Sequence, residues 1–94
     1  MRLKKDEILY IKETFEEVFG DGKIYLFGSR VDDSLKGGDI DLYIKTKNSD
    51  AIDKKIKFLA TLKQKIGDQK IDIVLSKYNN KIIEQEVLQK GIEL

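Results

Sequence analysis

Two short groups of residues in this sequence could do chemistry together. The first is the turn Gly28-Ser29-Arg30, and the second is the aspartate pair Asp39 and Asp41. Glycine lets a backbone approach a phosphate closely, and N–H groups at the start of a helix bind anions. Carboxylates are oxygen ligands of the kind that Mg²⁺ prefers. The turn therefore predicts binding of a nucleoside triphosphate, with Ser29 as a donor and Arg30 against the departing pyrophosphate, while the aspartates hold the bridging metal.

A third aspartate, Asp72, stands between Ile71 and Ile73 in a strand-like run. Successive side chains of a strand point to opposite faces, so Asp39 and Asp41 share a face and Asp72 lies opposite to its isoleucine neighbours. Two carboxylates about 5 Å apart repel by roughly 3 kcal/mol at an effective dielectric of about 20, and bound Mg²⁺ would offset this cost. If the strands are neighbours, we expect a two-metal site on all three aspartates, with Asp72 also able to accept the proton of the attacking hydroxyl.

Each of these features has a simpler interpretation when it is taken alone. A Gly-Ser pair is most often a turn, an Asp-x-Asp pair can be a solvated strand edge, and Arg30 and Asp72 can be ordinary surface charges. Asp32 and Asp33 are expected to be solvated loop acids. The combination of strand, Gly-Ser, Asp-x-Asp and a third strand aspartate nevertheless favours a site of the nucleotidyltransferase type.

Composition narrows the chemistry further. The chain has 94 residues, no histidine and no cysteine, which excludes histidine bases, thiolate zinc sites and disulfides. A net charge of +1 argues against direct binding of nucleic acid. The sequence lacks an apolar run of membrane-spanning length and a signal-peptide core, so we expect a cytoplasmic protein without membrane contact. The length predicts a single domain over residues 1–94.

The elements that would position these residues can be predicted from apolar spacing and turn residues. The predicted order is a helix ending at Gly20, a strand over 23–27, a short helical turn from Ser29, a strand over 39–45, a helix from Asn48 to about Ile66, a strand over 70–75 and a helix over about 81–90. The second long helix is expected to bury Ile52, Ile56, Leu59, Ala60 and Leu62 or Ile66. Gly91 is expected to end the last helix, with Ile92 packed back on Val87. This order predicts an α/β (α+β) fold, a small mixed sheet with packed helices.

Three segments of the sequence are similar to those of a known superfamily. The chain resembles the DNA polymerase beta-like nucleotidyltransferases, and within them the minimal nucleotidyltransferase (MNT) proteins, at Leu26-Phe27-Gly28-Ser29-Arg30, Gly38-Asp39-Ile40-Asp41-Leu42 and Ile71-Asp72-Ile73-Val74. The resemblance implies a mixed sheet of the polymerase-palm type. It also implies Asp39, Asp41 and Asp72 as metal carboxylates and Gly28 with Ser29 as the phosphate-binding turn.

The same resemblance implies a partner. MNT proteins of this size are often encoded beside a small all-helical HEPN protein, which is an RNase toxin, and the MNT protein acts as its antitoxin. Several resemble enzymes that move AMP from ATP onto a tyrosine of the toxin. Larger enzymes of the superfamily carry a second, helical domain, whereas here only residues 73–94 follow Asp72. We therefore expect a second protein or a dimer mate to complete the pocket.

Three functions are consistent with these features. The leading hypothesis is an Mg²⁺- and ATP-dependent nucleotidyltransferase, a protein adenylyltransferase that modifies a HEPN-type partner. The second is an antitoxin that acts by binding alone, with little or no catalysis. The third, transfer to a small molecule, is disfavoured because the chain lacks an acceptor domain. Three mutually repelling aspartates favour the enzyme over the binding protein.

Overall fold

The helices and strands form in the predicted order. The computed structural model describes residues 3–28, 40–67, 69–76 and 81–94. Within these ranges the elements are α1 (Lys5–Val18), β1 (Lys23–Phe27), β2 (Ile40–Lys45), α2 (Ala51–Ile66), β3 (Ile71–Leu75), α3 (Lys81–Lys90) and β4 (Ile92–Glu93). The predicted α/β class is confirmed. The short helical turn predicted from Ser29 lies outside the described residues.

The four strands form one mixed sheet in the order β3-β2-β1-β4. β1 is antiparallel to both β2 and β4, and β2 is parallel to β3. A parallel pair needs a long crossover connection, which α2 supplies between β2 and β3. The parallel pairing of β2 with β3 therefore follows from the helix that lies between them in the chain.

The main hydrophobic core lies between one face of this sheet and the helices α1 and α2. Ile40, Leu42 and Ile44 are fully buried there, as the alternation of β2 predicts. Phe19 joins the two helices, because its ring centroid lies 5.9 Å from that of Phe58. Full burial of a side chain of this size stabilises the fold by about 1.5–3 kcal/mol, so these contacts fix the sheet on which the site stands.

The opposite face of the sheet is partly covered by α3. Val87 is fully buried in a second cluster with Tyr25 and Tyr43. Lys45 at the end of β2 pairs with Glu84 of α3, with 3.5 Å between Nζ and Oε1. The face that carries the odd-numbered residues of β2 is therefore half core and half open surface.

Three sequence predictions about packing were wrong in detail. Ile52 and Ile56 are 52% and 63% exposed and Ala60 is exposed, whereas α2 buries Ala51, Phe58 and Leu62. The contact of Phe58 with Phe19 sets this rotation of the helix.

The chain end and the start of α2 also differ from prediction. Gly91 follows α3 as predicted, but Ile92 lies in β4 opposite Leu26 because the chain turns directly into a short edge strand. Asp50 is the N-cap of α2 and makes no side-chain cap bond. Asn48 instead joins two turns, since its Nδ2 donates to Asp21 Oδ1 at 2.6 Å and to the Phe19 carbonyl at 3.3 Å.

Within the described ranges, no helix is both long and apolar enough to cross a membrane.

Candidate functional site

Asp41 of β2 and Asp72 of β3 are register partners in the parallel pair. Register partners of parallel strands point to the same face, and neighbouring strands lie about 4.8 Å apart. Asp41 is half-buried and Asp72 is exposed, while the isoleucines that flank Asp72 are buried on the other face. Two of the three predicted metal carboxylates are thus brought side by side on the face opposite α1 and α2.

Gly28 borders this carboxylate pair at the end of β1. Its backbone has a φ of +77°, which glycine adopts without strain. A Cβ built at Gly28 would overlap Oδ2 of Asp41 and lie 3.1 Å from its Cγ. The register of β1 with β2 explains the contact, because Phe27 is the partner of Asp41. Only a residue without a side chain leaves the Asp41 carboxylate in this position.

The remaining predicted site residues, Ser29, Arg30 and Asp39, lie outside the described residues, so their roles stay predictions. Within the described part of the chain, no group of three acidic, histidine or cysteine side chains could hold a metal ion. The predicted third ligand is Asp39, next to β2. The donor set that is described consists of carboxylate oxygens only, which suits a hard divalent cation such as Mg²⁺.

Tyr43 lies two residues after Asp41 on the same face and was not predicted as part of the site environment. It is fully buried under α3, and its hydroxyl has no hydrogen-bond partner among the described residues. Burial raises the pKa of Tyr43 above its ordinary value of 10.0, and the negative charge of Glu84 raises it further. Ser76 acts in the opposite direction and lowers the pKa, although its contact with the hydroxyl does not meet the distance and angle limits of a hydrogen bond. The Asp41-x-Tyr43 alternation was the available signal for this neighbour.

A cavity of about 490 Å³ lies near the other end of the same face of the sheet. Its lining consists of Asp21, Gly22, Lys23, Tyr25, Lys45, Thr46, Lys47 and Ser76. Lys23 and Lys45 already pair with Glu93 and Glu84, at 3.9 Å and 3.5 Å. The charge of the cavity is therefore largely balanced. Its lining includes neither Asp41 nor Asp72, and Lys45 lies about 13 Å from Asp41 along β2.

A mixed sheet with paired strand aspartates beside a glycine is typical of domains that transfer phosphoryl or nucleotidyl groups. The family described as Polymerase beta, Nucleotidyltransferase matches residues 10–94. The chain belongs to this family. Among curated proteins, none matches the chain.

Solved structures share the fold. A chain of a variant of the MntA–HpeT toxin–antitoxin complex is 22% identical with a TM-score of 0.76, over 99% of this chain and 72% of that one. The complex of tri-AMPylated Shewanella oneidensis HEPN toxin with MNT antitoxin contains a chain that is 20% identical with a TM-score of 0.62, over 93% and 70% of the two chains. A candidate nucleotidyltransferase is 25% identical with a TM-score of 0.64, over 93% and 96%.

Proposed function

We propose that this protein is an Mg²⁺-dependent nucleotidyltransferase that moves a nucleoside monophosphate, AMP from ATP, onto a hydroxyl of a partner protein. The partner is a HEPN-type toxin, and this chain is its antitoxin. Membership of the family specifies neither the donor nucleotide nor the acceptor nor the pairing with a toxin, so these three are proposed.

The observation that carries the proposal is the register of Asp41 with Asp72 beside Gly28. Two carboxylates held side by side repel each other, and the fold keeps them on one face instead of separating them. A divalent cation bound there would gain from this arrangement, and Asp39 is the predicted additional ligand. When bound, Mg²⁺ supplies charge neutralisation for the triphosphate and lowers the pKa of an attacking hydroxyl.

The residues of the chain have distinct roles in this proposal. Asp39, Asp41 and Asp72 would hold the Mg²⁺, and Asp72 would also accept the proton of the acceptor hydroxyl. Gly28 leaves room for the carboxylate of Asp41, and the backbone at Ser29 holds the phosphates. Arg30 is proposed to neutralise the departing pyrophosphate, since a guanidinium binds phosphate oxygens in a bidentate manner.

The choice of acceptor follows from the relatives. The chain is similar in fold to antitoxins crystallised with a toxin, and one of those complexes holds a tri-AMPylated HEPN toxin. These relatives share 17–22% of their residues with the chain, so the pairing is proposed for it by analogy of fold and site together. The intact pair Asp41 and Asp72 is the feature that favours catalysis over binding alone.

The alternative is an antitoxin that inhibits its HEPN partner through complex formation with little or no catalysis. Neutralisation of the partner's toxicity in cells separates the two. Asp41→Asn keeps the size of the side chain and removes one charge, so it is expected to bind the partner yet fail to neutralise it. If cells carrying the variant grow as well as wild type, binding alone accounts for the antitoxin role.

A further inference from the structure

The outer surface of α2 carries two exposed isoleucines. Ile52 and Ile56 are 52% and 63% exposed, and half-buried Leu59 continues the same stripe toward the core. Residues three and four apart on a helix are neighbours, so the three side chains form one ridge, which we call the α2 ridge. Single exposed aliphatic residues are ordinary, whereas neighbouring ones on a helix form a continuous apolar surface that a protein contact can bury.

The orientation of α2 places this ridge away from α1. Lys65 of α2 pairs with Glu17 of α1, with 3.6 Å between Nζ and Oε2. Ile56 precedes Lys65 by nine positions, which is about two and a half turns at 3.6 residues per turn, so it lies on the opposite side of the helix. Nothing in α1 can therefore cover the ridge.

The ridge also lies at the β3 side of the sheet. α1 lies beside β1 and the C-terminal residues, because Phe15 and Leu94 line a common cleft. The strand order is β3-β2-β1-β4, so the side of α2 that faces away from α1 lies toward β3, an edge strand of the described sheet. Asp72 belongs to that same strand. A protein bound at this edge would contact the ridge on one face while standing next to the carboxylate pair on the other.

The charge around the ridge indicates what can bind there. Of the five lysines of α2, Lys54 and Lys65 pair with Asp50 and Glu17, so that Lys55, Lys57 and Lys63 against the one aspartate of α2 leave a formal charge of +2. Two copies that met through α2 would bring these positive helices together, which is unfavourable. A different protein with an apolar stripe bordered by aspartate and glutamate would be attracted.

We infer that the α2 ridge is the docking surface for an acidic amphipathic helix of the partner protein. This inference rests on the proposed function, which supplies the partner, and adds where that partner binds. Ile52 and Ile56 insert between the apolar side chains of the partner helix, and the lysines of α2 outside those two ion pairs face its acidic border. Docking at the β3 edge leaves the Asp41–Asp72 face open to the acceptor hydroxyl.

The test compares two substitutions of equal chemistry at sites of similar exposure. Ile56→Glu places a negative charge in the ridge, and Leu9→Glu places one at a residue of α1 that is 52% exposed. The probe is the HEPN-type toxin of the proposed pair, titrated onto each purified variant by calorimetry. We expect Ile56→Glu to raise Kd by roughly tenfold or more, about 1.4 kcal/mol, and Leu9→Glu to leave Kd within about twofold. Circular dichroism verifies that both variants fold.

The outcomes separate the inference from the function on which it rests. If Ile56→Glu binds as tightly as wild type, the docking surface is wrong while the partner stands. If wild type does not bind the probe at all, the partner and the docking surface both fall, and stabilisation by ATP with Mg²⁺ then reports the nucleotide site independently. If light scattering shows that wild type alone is a dimer that Ile56→Glu dissociates, the ridge binds a second copy and the acidic partner helix is excluded.

Discussion

The backbone of Gly28, directly after β1, lies against the carboxylate of Asp41, so that the Asp41 side chain occupies the space that a side chain at position 28 would need. The contact joins the predicted phosphate-binding turn to the predicted metal ligand. It also explains why glycine is required at this position for two reasons at once, a φ of +77° and the lack of room for a Cβ.

Gly28→Ala is expected to displace the carboxylate of Asp41 and abolish nucleotide binding. The methyl group would overlap Oδ2 of Asp41, and a positive φ costs alanine about 1–2 kcal/mol. Saturating ATP with Mg²⁺, at about a hundred times its Kd, should stabilise wild type by about 2.7 kcal/mol and the variant hardly at all. Thermal unfolding with and without the ligand measures both effects.

The matched control is Gly67→Ala at the end of α2. Gly67 has a similar φ of +90°, but an added Cβ there meets nothing within 4 Å. This variant should lose a comparable amount of stability and keep the full response to ATP with Mg²⁺. An equal loss of response in both variants would mean that backbone strain, and not the contact with Asp41, is responsible.

Asp72→Asn is expected to separate stability from metal binding. Removing one charge of the Asp41–Asp72 pair relieves repulsion, so without divalent cation the variant should melt at or slightly above the wild-type temperature. With ATP and Mg²⁺ the melting temperature of the variant should fall below that of wild type, because a metal ligand is lost. Asp53→Asn on α2 removes an equal charge far from the pair and should keep the response. A Tm for Asp72→Asn that rises with ATP and Mg²⁺ as much as that of wild type would contradict its role as a ligand.

Tyr43→Phe is expected to stabilise the protein. The buried hydroxyl of Tyr43 lacks a hydrogen-bond partner among the described residues, and a buried unsatisfied group costs about 1–3 kcal/mol. Removing the oxygen while keeping the ring should raise the free energy of unfolding by about 1 kcal/mol. Urea unfolding measures it, and a decrease of similar size would show that the hydroxyl is satisfied in solution.

The raised pKa of Tyr43 also predicts a pH dependence. The folded state holds the phenol proton more tightly than the unfolded state, whose tyrosine pKa is near 10.0. The contribution of the Tyr43 proton to the free energy of unfolding is therefore complete below about pH 10. It is lost as the pH rises through the pKa of Tyr43 in the folded state. The difference in unfolding free energy between wild type and Tyr43→Phe should be constant up to pH 9 and change above pH 10. A difference that stays flat to pH 11 would contradict the raised pKa.

Much of the fold could be predicted because local signals agreed with one another. β1 was predicted at its observed bounds, and Gly20 and Gly67 ended their helices where the left-handed backbone occurs. The rotation of α2 could not be predicted, because Ile52 and Phe58 both belong to apolar runs at helical spacing. Only the position of Phe19 in three dimensions selects Phe58 for the core. β4 was missed because a two-residue strand has too few residues to show alternation.

The candidate site was likewise predictable from the sequence only in part. The spacing in sequence predicted that Asp41 and Asp72 share a face if their strands are neighbours, since both alternate with buried aliphatic residues, and the pairing of β2 with β3 meets that condition. The steric fit of Gly28 against Asp41 depends on the register of β1 with β2, which no local pattern specifies. The burial of Tyr43 depends on α3, whose packing is a long-range event.

The measurement that tests the central proposal most directly is the intact mass of the HEPN-type partner after incubation with this protein, ATP and Mg²⁺. The account predicts a gain of one or more AMP units that requires Mg²⁺ and is lost with Asp41→Asn. A partner that stays unmodified while forming a stable complex with the wild-type chain would contradict catalytic transfer and leave binding alone as the antitoxin mechanism.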